Sequence, residues 1–103
     1  MAQNELPGLS GKEMVIMNLL TSNRGEQYGL QLIEHSNGAL KRGTIYVTLH
    51  RLEEKGYVKS RTEDAAPGIA QPRRLYKPTG LGARVFNAIS GAGGKAWLRE
   101  VMA

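Results

Sequence analysis

At 103 residues with no cysteine, the chain has room for one domain with a modest core, and it excludes disulfides, thiolate metal sites and cysteine nucleophiles. No apolar run nears the ~20 residues that cross a bilayer, and Met1 to Ser10, with Glu5 and Pro7, lacks a secretory pattern, so a cytoplasmic location without a membrane partner is expected. The net charge of +5 is concentrated: Lys41 to Lys77 holds nine basic residues against four acidic ones, and the remainder cancels. Such a footprint suits a polyanion, with nucleic acid as the leading partner.

Residues 1–9 read as a short polar lead. Ser10 and Glu13 then form a capping box that opens a first helix running to about Ser22. Its middle, Met14-Val15-Ile16-Met17 and Leu19-Leu20, is apolar on more than one face. That surplus either fills a core or meets a second subunit, with Val15 a candidate for the contact. Asn23-Arg24-Gly25 signals a turn, and Tyr28 to Ser36 gives a second helix with Leu30, Ile33 and Leu32 as inward candidates. Asn37-Gly38 closes it, Gly38 being suited to a left-handed cap.

The third helix is expected from about Thr44 to Lys55, with Ile45, Leu49 and Leu52 on one stripe and Gly56 as its stop. At 100° per residue the opposite side carries Thr44, Val47, His50, Arg51 and Glu54, with Tyr46 and Glu53 on a flank. The period then shortens: Tyr57 to Thr62 and Arg73 to Lys77 read as two strands of a hairpin. Glu63 to Pro72, with two prolines and Gly68, is expected to be a mobile tip. Thr79 is placed to cap a last helix through Ala88 and Ile89, and Gly91 to Gly94 should kink or interrupt it, each Gly costing about 1 kcal/mol against Ala.

Three helices followed by a two-stranded hairpin describe an α+β, mostly α, winged helix-turn-helix with the hairpin as wing. The expected organisation is a lead at 1–9, a winged-helix DNA-binding domain at 10–78, and a C-terminal helical dimerisation segment at 79–103.

Two stretches carry a resemblance. Gly43-Thr44-Ile45-Tyr46, then Arg51-Leu52-Glu53 and Lys55-Gly56 before an apolar strand, resembles the signature of the PadR family of transcriptional regulators. Gln71-Pro72-Arg73-Arg74-Leu75-Tyr76-Lys77 with Thr79-Gly80-Leu81-Gly82 is similar to that family's basic wing strand and Thr-x-x-Gly helix opening, and Tyr28-Gly29-Leu30 stands where it often has His-Gly-Tyr. The likeness spans residues 12 to 90. Val47 replaces a common Pro, Leu30 a common Tyr, and Pro78 a usual Leu. The resemblance implies a dimeric, ligand-responsive repressor whose C-terminal helix packs on its partner, here a compact member with a short tail.

On double-stranded DNA the third helix would enter the major groove. Arg51 and His50 are candidates for base or phosphate contact, and Thr44 and Val47 for a thymine methyl. Thr44 equally suits a helix cap, and Tyr46 either donates to a phosphate or packs. Lys41, Arg42, Lys59, Arg73 and Arg74 are the phosphate candidates, against the alternative of a solvated surface. One copy of this helix reads few base pairs, so a homodimer on a near-palindrome is expected. Val85, Phe86, Ile89, Trp97, Leu98, Val101 and Met102 supply the apolar material for its interface. A small aromatic effector stacked on Trp97 and Phe86 is the weaker alternative to plain interface packing.

No catalytic constellation, cofactor or metal site is called for. His35 and Glu34 are adjacent and face apart, and His50 with Glu54 reads as a solvated pair rather than a metal site. The expected function is a sequence-specific transcriptional regulator, a repressor released by an effector. The alternative is a winged-helix protein-interaction or RNA-binding module without operator specificity.

Overall fold

The computed structural model describes residues 8–22, 26–63 and 73–93. In chain order these form α1 (Gly11–Ser22), β1 (Gln27–Tyr28), α2 (Gly29–His35), α3 (Arg42–Glu54), β2 (Val58–Glu63), β3 (Arg73–Pro78) and α4 (Gly80–Gly93). The strands make one antiparallel sheet in the order β1-β3-β2. The class is the expected one: a helical bundle with a hairpin wing. The tip expected to be mobile lies, from Asp64 onward, outside the described residues.

The α1 capping box forms as its residues predict. The Ser10 backbone N–H donates to Glu13 Oε1 at 2.7 Å, and the Glu13 N–H donates to Ser10 Oγ at 3.2 Å. The many-sided apolarity of α1 is answered within the chain, because α1 meets α2, α3, α4 and β3. Met14, Val15, Ile16, Met17 and Leu20 are all buried together with Leu32, Ile45, Leu49, Leu52, Tyr57 and Phe86. Val15 is therefore core, and its reading as dimer surface is corrected.

In α2 the inward residues are Gly29, Leu32 and Ser36, while Leu30 is 51% exposed. Leu30 lies about 200° around the helix from Leu32, so one seven-residue helix cannot bury both against one neighbour. Asn37 and Gly38 both take positive φ, 52° and 89°, and reverse the chain after α2. The third helix starts at Arg42, with Lys41 as its cap residue, so Thr44 sits inside the first turn rather than at the cap. Gly56, at φ 79°, ends it.

A buried ion pair joins the start of α1 to the end of α3. Lys55 Nζ donates to both oxygens of Glu13, at 2.7 and 2.9 Å, and to the Gly8 carbonyl at 3.0 Å. Glu13 is only 2% exposed, which makes this partner obligatory. At the other end of the wing, Thr79 caps α4: its Oγ1 accepts from the Gly82 N–H at 2.9 Å and donates to the Gly56 carbonyl at 2.6 Å. The helix then continues through Gly91 to Gly93, so the expected break does not begin at Gly91. Burial of Phe86 and partial burial of Leu81 and Val85 against the core offset the poor helix propensity of those glycines.

Candidate nucleic-acid interface

Helix α3 is buried along Ile45, Thr48, Leu49 and Leu52, which leaves its other side to solvent. Thr48 joins the buried stripe because its hydroxyl donates to the Thr44 carbonyl at 3.0 Å and so needs no outside partner. The exposed side presents Lys41, Arg42, Thr44, Tyr46, Val47, His50 and Arg51, which brings together all the α3 candidates. Two are apolar or amphipathic yet uncovered: Val47 is 54% exposed and Tyr46 is 51% exposed. His50 Nε2 lies 3.7 Å from Glu54 Oε1, with both side chains in solvent, so this pair contributes little to stability.

The wing separates two residues that the sequence sets side by side. In the β2–β3 register Thr62 faces Arg74 and Ser60 faces Tyr76, while Glu63 faces Arg73 and Lys59 faces Lys77. Side chains of paired residues share a sheet face and alternate along the strand. The face of Tyr76 and Val58 packs on the helices, since both belong to the core. Arg74 is on this inner face, where its Nη1 donates to Ser60 Oγ at 2.8 Å and Ser60 Oγ donates to Glu53 Oε2 at 2.7 Å. Arg74 lines an open cleft of about 520 Å³ with Tyr46, His50, Glu53, Glu54 and Tyr76. Burial pushes the Tyr76 phenol up from its ordinary pKa, and the Glu53 carboxylate adds to the shift.

Arg73 and Lys59 are on the outer face. The Arg73 guanidinium sits 4.9 Å above the Tyr28 ring, and the Tyr28 hydroxyl donates to Glu63 Oε1 at 2.7 Å. Arg61, on the same face, forks onto Glu26 through Nε and Nη2 at 2.8 to 3.0 Å. The Glu26 carboxyl is held below its usual range, chiefly by that hydrogen bond from Arg61. Lys55 and Arg61 are thus each paired with a carboxylate of the chain itself, the first buried and the second at the surface. Their partners lie 42 and 35 positions away in the chain, a distance at which composition and helical spacing carry no signal.

The interface candidates divide as well. Phe86 is buried in the chain's own core and Val85 packs partly against it, so neither is free surface. Ile89, one turn further along α4, is 38% exposed. Trp97, Leu98, Val101 and Met102 lie outside the described residues, and with them the Trp97 and Phe86 effector reading. No group of three or more metal-ligating side chains occurs among the described residues, and none of their helices is long and apolar enough to cross a membrane.

A helical trio, an exposed polar face on its third member and a hairpin rising beside that face define a winged-helix protein. The chain belongs to the transcriptional regulator PadR-like family, whose model matches residues 16–88; these are transcription regulators and not enzymes. Solved structures agree in fold. A PadR-like transcription factor of Bacteroides fragilis superposes with a TM-score of 0.67 at 25% identity, over 86% of this chain and 84% of that one. A PadR family regulator of Eggerthella lenta gives 0.65 at 23% identity, over 81% and 74%. Bacillus subtilis PadR, solved in complex with operator DNA, gives 0.63 at 22% identity, over 74% of this chain and 44% of that one. No curated protein sequence matches the chain.

Proposed function

We propose that this protein is a sequence-specific regulator of transcription that binds double-stranded DNA as a homodimer, represses at a near-palindromic operator and is released by a small-molecule effector. The observation that carries the DNA reading is the exposed side of α3, where Lys41, Arg42, Thr44, Tyr46, Val47, His50 and Arg51 are all uncovered beside Arg74. Membership of the PadR-like family and the operator complex of the Bacillus subtilis relative support the same reading.

In this reading α3 lies in the major groove, Arg51 and His50 address base edges or phosphate, and Lys41 and Arg42 neutralise backbone near the helix start. Arg74 approaches the same strand from the wing. Val47 supplies the apolar contact, and the thymine methyl is the one apolar group a major groove offers. Two protomers would set their α3 helices about 34 to 36 Å apart, one helical turn of DNA. Residues 79–103 would hold the partner, beginning with the exposed Ile89 and extending to Trp97, Leu98 and Val101.

Fluorescence anisotropy with duplex DNA in competition with structured RNA tests the partner, and in vitro selection yields the half-site and its spacing. Arg74→Ala should weaken binding on all sequences and flatten the salt slope by about one unit. Preference for RNA, or a selected pool without two-fold symmetry, would refute the proposal.

A further inference from the structure

We propose that the cleft between α3 and the inner face of the wing is an effector site for a small organic cation, an ammonium group carried on a flat apolar body, whose binding competes with duplex DNA. The competition rests on the DNA-binding reading above; the binding of the cation does not.

A buried hydroxyl carries the first part. Tyr76 is only 4% exposed, yet its phenol makes no hydrogen bond with any described residue. A tyrosine buried to this degree ordinarily finds a partner for its O–H. Here the groups that bear electrostatically on it, Glu53, Arg74 and Tyr46, all line the same cleft of about 520 Å³. The hydroxyl is therefore aimed into that space, and the volume falls within the roughly 300 to 1,000 Å³ that holds small organic ligands.

The neighbouring side chains set the sign of the ligand. Ser60 Oγ accepts from Arg74 Nη1 at 2.8 Å and donates to Glu53 Oε2 at 2.7 Å, which fixes the carboxylate against the wing. Glu53 Oε1 is left with no hydrogen-bond partner among the described residues. Glu54, the next residue, keeps 65% of its side chain in solvent, with His50 Nε2 at 3.7 Å. Two carboxylates against one guanidinium give the lining a formal charge of −1, within a face that otherwise presents Lys41, Arg42 and Arg51. Such a spot repels a phosphodiester and accepts an ammonium, whose N–H groups can donate to Glu53 Oε1 and to the Tyr76 oxygen.

Tyr46 supplies the surface for the body of the ligand. It is 51% exposed, and its ring packs on Gly29 at the start of α2, so an aromatic wall already stands at the cleft. A cation near a tyrosine face gains further attraction from the ring. Tyr46, His50 and Arg74 are also three of the groups assigned above to DNA. Ligand and duplex thus claim the same side chains, and each must weaken the other by the same factor.

The test uses three probes of one shape on the full chain by isothermal titration calorimetry at neutral pH: benzylamine, which is then a cation, benzyl alcohol and benzoate. Benzylamine should bind about tenfold more tightly than benzyl alcohol, and benzoate more weakly than either. Glu53→Gln, which keeps an acceptor for Ser60, should weaken benzylamine by about tenfold. Glu54→Gln, at a solvent-exposed position that the fold does not need, should weaken it by about threefold. Benzoate binding as tightly as benzylamine, no binding of benzylamine, or binding unchanged in both variants would overturn the assignment. In the second arm, benzylamine should raise the apparent Kd for a selected operator, and by less in Glu54→Gln, which controls for the general effect of added cations on DNA. An operator affinity that benzylamine leaves unchanged, or lowers equally in the two proteins, would overturn the effector role. Absence of any duplex binding would refute the function proposed above, and the calorimetry would still decide the cation site.

Discussion

Replacing Gly82 by Ala should destabilise the protein although it places a better helix former inside α4. A Cβ at Gly82 would lie 2.7 Å from the Tyr57 carbonyl carbon and 2.8 Å from its Cα, and closer still to the oxygen. These are backbone atoms and cannot rotate away. To clear them α4 must retreat, which stretches the Thr79 N–H to Tyr57 carbonyl bond of 3.0 Å and the Thr79 hydroxyl bond to Gly56. Overpacking costs about 1 to 3 kcal/mol and each strained hydrogen bond about 1 kcal/mol. The propensity gain returns about 1 kcal/mol, so a net loss of about 2 to 4 kcal/mol is expected. Gly91 provides the control, because a Cβ there meets nothing within 4 Å. Gly91→Ala should therefore stabilise by about 0.5 to 1 kcal/mol. At about 4 to 8 °C per kcal/mol for a domain of this size, circular dichroism melts should move Tm down by about 8 °C or more for the first variant and up for the second. Protein concentration must be held fixed, since the homodimer proposed above would make Tm depend on it. A Gly82→Ala protein as stable as the unmodified one would refute the reasoning.

Lys55→Met should cost about 3 kcal/mol by urea denaturation, at the low end for a broken buried pair because Lys55 keeps 26% of its side chain in solvent; no loss would mean that Glu13 is solvated. Glu26→Gln should remove a contribution that is present above the ordinary glutamate pKa of about 4.3 and lost as pH falls through the lower folded value. Stability curves of the two proteins should thus converge in acid and differ at neutrality, and parallel curves would contradict the Arg61 contact. On a selected operator, uracil in place of the contacted thymine should weaken the unmodified protein by severalfold and Val47→Ala far less, read by anisotropy; equal loss in both would remove Val47 from base reading.

Much of this was legible from residue pattern because local rules and tertiary needs agree along α3. Ile45, Leu49 and Leu52 are spaced for one stripe, and all three are fully buried. The Ser10 box, the Gly56 stop and the Thr79 cap need only neighbours three positions away or a positive φ. What escaped has a common cause in partners distant along the chain. The two-residue β1 is too short to show a period, and it exists because Gln27 and Tyr28 find Tyr76 and Leu75. Leu30 reads as apolar and inward, yet the side of α2 that faces the core is fixed by Leu32. Counting charges between Lys41 and Lys77 treats Lys55 and Arg61 as free, and Glu13 and Glu26 have already claimed them. Arg73 and Arg74 are neighbours in sequence, and the pleat alone sends them to opposite sides of the wing.

The empty position at Gly29 governs Tyr46. Any side chain at Gly29 would fall within 2.9 Å of the Tyr46 ring and hydroxyl, so the phenol rests in a notch kept vacant for it. A tyrosine half in water would ordinarily sample several orientations; this one is seated before a duplex arrives. In the DNA-binding mode proposed above, the seating of that ring would make the opening of α2 a silent determinant of how α3 engages a groove.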